Sequence, residues 1–211
     1  MDNLNIVSLG NYEAVKDNLF IRVMSRDLKK EFLKDKPYRK VADLAIVPYI
    51  SISKNECAAV TNGLMNRYGV TKNELMKQAI KNSERIYPRK CMTLSGAVSE
   101  IQGNNVGHPS SDNVYVITNS EMVYGASALF YKNTLKNIAT MFDGNDFWIV
   151  PSSIHEVLVM KADTIDPESL HSMVKTVNAT CVSGDDTLSE NPLLYSAKTG
   201  TFTLWNKVET H

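Results

Sequence analysis

Apolar residues fall along this chain in short runs of strand length and in stripes of helical period. Two of the clearest runs flank a polar connector. Phe147, Trp148, Ile149 and Val150 make one, Val157, Leu158, Val159 and Met160 the other, with Pro151, Ser152, Ser153, Ile154, His155 and Glu156 between them. Four-residue apolar runs bounded by turn residues read as strands. Val114, Tyr115, Val116 and Ile117 form a comparable run upstream, the natural sheet partner. Residues 122–131 continue the strand pattern, and Asn119, Ser120 and Glu121 predict a tight hairpin joining 114–118 to 122–131. The small residues at 125–128 permit close approach by another element.

The remaining elements follow from the same periods and their punctuation. Residues 19–24 predict a strand with Arg22 on a wet face or edge, and 26–34 a short helix with the stripe Leu28, Phe32, Leu33, ended by Pro37. The longest β-like passage is 41–53, where Pro48 implies a bulge, a strand edge or a break. Residues 56–62 suit a return strand; 63–70 suit either a strand or a helical turn. Thr71 with Glu74 is a capping box opening a helix with the stripe Leu75, Met76, Ala79 and Ile80. Pro88, Arg89 and Lys90 read as a connector, 92–101 as a second helix, and 102–112 as a loop. A helix is predicted over 134–142, another from Asp166 as cap with Pro167 at its first position, and a closing hairpin over 193–205 with Gly200 in its turn. The segments 114–118, 122–131, 147–150 and 157–160 are expected in one sheet, covered by the helices beginning near Thr134 and Asp166. The fold class is therefore α+β: a mixed, mainly antiparallel sheet with helices packed on one or both faces, in a single domain over 1–211.

Composition narrows the function classes. With 43% hydrophobic and 22% charged residues the chain is of ordinary globular type. Its 23 basic and 23 acidic residues cancel, so no global field draws it to phosphate backbones or anionic lipid. No apolar run reaches the roughly 18 residues of a spanning helix. Asp2, Asn3, Asn5 and Asn11 stand where a signal peptide would be basic and apolar, which points to the cytoplasm. Cys57, Cys91 and Cys181 are widely spaced, giving no zinc knuckle or disulfide framework and reading as buried free thiols.

The tract with most chemistry in it is Ser152, Ser153, His155 and Glu156. A serine nucleophile needs an imidazole within hydrogen-bond reach and an orienting acid, and all three types occur here. The Gly-x-Ser-x-Gly elbow is missing, and in a strand Ser153 and His155 share a face while Glu156 points away. Turn serines with a bonded histidine come first, ligand or partner recognition second, catalysis third. His108, His155, Glu156, Asp163, Asp166 and His171 are available to a metal, but no spacing joins them, and no cofactor motif is present. Arg85, Ile86, Tyr87, Pro88, Arg89 and Lys90 interleave basic and aromatic residues; a solvated connector anchored by Ile86 and Tyr87 explains them better than nucleic-acid binding.

The stretch from Pro151 to Val157 resembles an uncharacterised family common in gut Firmicutes, the domain of unknown function DUF5688. Similar stretches lie at 12–23, 43–49, 69–75, 115–119 and 125–131, so the resemblance covers nearly the whole chain from Tyr12 to about Tyr195. As that family carries a further amino-terminal region, the chain resembles its carboxy-terminal part. The resemblance implies a bacterial cytoplasmic protein and carries no activity, cofactor or catalytic residue. Two functions stay open: a non-enzymatic binding or protein-interaction domain, taking a protein or a small polar ligand, and a small hydrolase using a serine and His155 near 151–157.

Overall fold

The computed structural model describes residues 9–53, 55–103, 113–151 and 153–205. Two antiparallel sheets stand where one was expected. The first holds β1 (Leu19–Ser25), β2 (Arg39–Val41), β3 (Leu44–Ser51) and β4 (Cys57–Ala59). Its centre is β3, flanked on one side by β1 and on the other by β2 and β4 in succession. The second has the order β10-β9-β7-β8-β6-β5, from β5 (Arg89–Thr93), β6 (Val114–Asn119), β7 (Phe147–Val150), β8 (Val157–Lys161), β9 (Leu193–Ser196) and β10 (Thr201–Leu204). The fold is mixed α+β, as the periodicity predicts, and β6, β7 and β8 share a sheet as expected.

Strand alternation builds the layers. In β7, Phe147 and Ile149 enter a core shared by both sheets, while Trp148 and Val150 face away from it. There they meet Leu170 and Val174 of a helix, Pro167–Cys181, capped by Asp166 as predicted. In β3, Leu44, Ile46 and Ile50 join the shared core, whereas Ala45 and Val47 pack with Leu33 on the other face. Both strands are buried on both sides, which explains their nearly unbroken apolar runs.

The helix Lys72–Ile86, opened by the Thr71–Glu74 capping box, packs on β1 and buries Leu75, Met76 and Ala79. The segment 63–70 resolves as a helix, Asn62–Tyr68, closed by Gly69 at φ 67°. Pro48 sits inside β3 without a break. Because the Ile21 amide points away from β3, its partner Pro48 also faces away from β1, toward the junction of β2 and β4, where its carbonyl accepts the Val60 N–H at 2.9 Å.

Three further expectations are corrected. Residues 122–131 are not a strand, and no 114–131 hairpin forms: Gly125–Phe130 is a fully buried 3-10 segment, and β6 pairs with β5 and β8 instead. Gly125 lets this segment press against β6, since a Cβ there would stand 2.0 Å from Thr118 Oγ1 and 2.7 Å from the Asn119 nitrogen. The helix at 26–34 shrinks to Lys30–Leu33; Leu33 is buried, but Leu28 and Phe32 stay exposed, so the expected stripe has no core to face. Arg89 and Lys90 are not connector but the start of an edge strand, β5. Most of the expected loop at 102–112 lies outside the described residues.

The outer edge of β1 is closed by two hydroxyls. Ile21 N–H donates to Ser83 Oγ at 3.0 Å and Val23 N–H to Ser127 Oγ at 3.2 Å, and both serines are buried. Each hydroxyl donates onward, Ser83 to the Ala79 carbonyl at 2.7 Å and Ser127 to the Tyr124 carbonyl at 3.1 Å. Ser83→Ala and Ser127→Ala each strand a buried N–H, so each is expected to destabilise the protein by about 1–3 kcal/mol. Urea denaturation should show the midpoint falling at constant slope.

Candidate functional site

The site is built where the outer face of β1 meets loops from the second sheet. Along β1, Leu19, Ile21 and Val23 point into the shared core, so Phe20, Arg22 and Met24 take the opposite face. The Arg22 guanidinium lies 3.7 Å from the ring centroid of Tyr124, 4.9 Å from that of Tyr49 and 5.7 Å from that of Phe20. It takes part in none of the ion pairs among the described residues, and its buried Nε finds no hydrogen-bond partner.

Tyr124 reaches Arg22 because the chain after β6 is forced into a strained turn. Met122 (φ 55°) and Tyr124 (φ 53°) occupy the left-handed region, a cost on the order of 1–3 kcal/mol each for residues with a Cβ. Asn119, 2% exposed, holds the turn: its Oδ1 accepts Glu121 N–H and its Nδ2 donates to the Val123 carbonyl, both at 3.0 Å. His155 adds a third restraint, its Nδ1 accepting Tyr124 N–H at 3.3 Å. That bond places the imidazole proton on Nε2, which faces Asp186 Oδ1 at 3.7 Å.

Arg22 and Tyr124 form a wall common to two clefts. The inner one, about 310 Å³, is lined by Phe20, Arg22, Cys57, Tyr87 and Tyr124, with Glu56 and Glu121 among its polar groups. The outer one, about 490 Å³, runs past Tyr49, Phe32 and Ile154 to Lys29, Asp185 and Asp186. Burial raises the Tyr49 phenol pKa and Arg22 pulls it back; burial and then the Cys57 thiol raise that of Tyr87, again opposed by Arg22.

The tract singled out in the sequence is only partly assembled. Ser153 is buried, and its Oγ accepts the N–H of His155 itself at 3.0 Å, an ST-turn. Nδ1 accepts the Tyr124 amide, Nε2 faces Asp186 at 3.7 Å, and Ser153 Oγ bonds the His155 backbone rather than its ring, so the geometry does not join Ser153 to His155 as nucleophile and base. Glu156 is half-buried and joins neither; Ser152 lies outside the described residues. Of the ligand candidates for a metal, His108 also lies outside them, Asp166 caps its helix, and His171 packs on Trp205 at 5.0 Å. Among the described residues no three such groups cluster. The basic run is used inside the chain: Arg85 donates to the Asp17 carbonyl, Arg89 pairs with Glu84 at 3.3 Å, and Lys90 pairs with Glu100.

Asn119, Tyr124 and Arg22 escaped the sequence reading as site residues. Their partners come from distant segments, and only Arg22 within an apolar strand run left a signal.

Fold and site define a two-sheet α+β protein with aromatic-walled clefts around a single arginine. The model of a family of unknown function, DUF5688, matches residues 1–197, and the chain belongs to that family. The match begins at the first residue, which corrects the expectation that only the family's carboxy-terminal part is represented. No curated protein and no solved structure matches the chain. Among the described residues, no helix is long and apolar enough to cross a membrane.

Gly125 makes the site possible. A Cβ there would stand 2.0 Å from Thr118 Oγ1, 2.5 Å from the His155 carbonyl and 2.7 Å from the Asn119 nitrogen. Two of those three are backbone atoms, so Gly125→Ala is expected to lose about 3 kcal/mol or more in chemical denaturation. His155→Ala removes one acceptor from an exposed amide that water can reach, so its expected cost is only about 1 kcal/mol. A loss above about 3 kcal/mol in the same measurement would assign His155 to the packed interior.

Proposed function

We propose that this protein is a non-enzymatic binding domain whose recognition surface is the pair of clefts around Arg22 and Tyr124, and that it takes a small polar ligand bearing an anionic group. The observation that carries this reading is the Arg22 guanidinium, held among three aromatic rings with no carboxylate partner among the described residues. A half-buried cation costs desolvation, and an arginine fork is suited to carboxylate recognition. Aromatic walls with a few convergent polar groups are the usual lining of small-molecule sites. The strained turn behind Tyr124 supports the same reading, since strain of this kind clusters at ligand clamps. The free thiols Cys57 and Cys91 suit a reducing compartment, and with the family resemblance they support a bacterial cytoplasmic setting.

The test uses Arg22→Met, which keeps apolar bulk between the rings and removes the charge. With 3-phenylpropionate as a probe anion, isothermal titration should show affinity falling at least about tenfold, the share of one charge-assisted hydrogen bond. Folding stability should stay within about 1 kcal/mol of the parent, since the lost cation–π contacts are offset by relief of desolvation. Unchanged probe binding in the variant, or no probe binding by the parent, would count against the site.

A further inference from the structure

The two clefts differ in charge, and that difference selects a ligand class. In the outer cleft Lys29 pairs with Asp185 at 3.1 Å, which leaves Asp186, facing the neutral His155 ring, as the one carboxylate accompanying Arg22 there. In the inner cleft the carboxylates Glu56 and Glu121 accompany Arg22, and neither takes part in an ion pair among the described residues. The cleft thus holds one uncompensated cation and two uncompensated carboxylates.

Neither glutamate pairs with Arg22. Arg22 sits on the strand against the rings, whereas Glu56 and Glu121 belong to exposed turns, one leading into β4 and the other following β6. Phe20, Tyr87 and Tyr124 add apolar surface to the same cleft, and Phe20 meets Tyr87 edge-on at 5.1 Å. A dianion such as phosphate would gain from Arg22 but be repelled by both glutamates. A simple cation would meet the opposite conflict. A molecule carrying both charges satisfies both ends.

Resting on the reading of Arg22 as an anion site, we propose that the inner cleft binds a zwitterion of the free amino-acid class with an aromatic or apolar side chain. Its carboxylate is held by the Arg22 guanidinium and its ammonium by Glu56 and Glu121, with its apolar part against Phe20, Tyr87 and Tyr124. A cleft of about 310 Å³ is of the size that such a molecule needs. The Asn119 amide shapes this cleft by holding the turn with one hydrogen bond from each of its ends.

Cys57 provides a reporter inside the cleft, and the exposed Cys91 an internal control. Alkylation by iodoacetamide, followed residue by residue with mass spectrometry, should slow at Cys57 and not at Cys91 when L-phenylalanine is added at millimolar concentration. Two analogues separate the poles: 3-phenylpropionate lacks the amine and phenethylamine lacks the carboxylate. Each should bind about tenfold more weakly than phenylalanine, the worth of one charge-assisted contact. Glu56→Gln with Glu121→Gln should remove that advantage of phenylalanine over 3-phenylpropionate, while 3-phenylpropionate affinity holds or rises as the repulsion of its carboxylate is relieved. Equal protection by phenylalanine and 3-phenylpropionate would overturn the zwitterion while leaving the anion site standing. If 3-phenylpropionate binds in an Arg22-dependent way while none of the common L-amino acids protects Cys57, this inference fails alone. Absence of binding by every probe overturns both readings.

Discussion

The amide edge of β1 is the constraint on which the rest of the structure depends. That strand pairs with β3 on one side only, and its other row of N–H groups is buried, where an unpaired donor costs more than an ordinary hydrogen bond returns. Ser83 from the long helix and Ser127 from the 3-10 segment meet that row two residues apart. Each takes a strand amide and passes its own proton to a carbonyl of its own segment. A helix and a 3-10 segment can therefore pack edge-on to a strand with its outward amides satisfied. This is what lets one apolar core run from the first sheet to the second.

The candidate site grows from the same contact. Ser127 accepts from β1 with one lone pair and donates to the Tyr124 carbonyl, so closing the strand edge also fixes the turn that carries the aromatic wall. Gly125 sits between these two duties, pressed against Thr118 and the His155 carbonyl at separations no Cβ tolerates. The turn before it is strained at Met122 and Tyr124, and Asn119 and His155 hold it in that state. Strain is sustained only where the surroundings over-determine it, and here three independent hydrogen bonds converge on a few residues. The histidine that drew attention as chemistry in the sequence thus acts first as a backbone acceptor. Its ring reaches the cleft through its contact with Tyr124, at 5.7 Å between centroids.

Electrostatics gives the cleft its character. The other basic side chain lining the two clefts, Lys29, has a partner in Asp185. Arg22 has aromatic faces instead, which stabilise a guanidinium without neutralising it. A protein optimised only for stability would place an apolar residue there, or a carboxylate beside it. The segment 183–192 contributes in a second way: Ser189 and Asn191 donate to the buried Asp43 carboxylate, pinning this irregular stretch to the first sheet beside the outer cleft.

What the sequence determined by itself was local. Caps are written within three or four residues, so the Thr71–Glu74 box, the Asp166–Pro167 start and the Gly200 turn were all legible. So were the strands at 19–25, 147–150 and 157–161, whose apolar runs record burial directly. The family resemblance was legible too, though not how far along the family it extends. Tertiary structure alone decided that 125–130 is a buried 3-10 segment, because a run of small residues suits a strand or a close approach equally until the neighbour is known. It also decided the partners of Ser83 and Ser127, which lie 62 and 104 residues from the amides they satisfy. The site belongs to this second kind. Arg22, Tyr49, Tyr124 and Asp186 come from four separate segments, and no local pattern records which of them meet when two sheets close on one core.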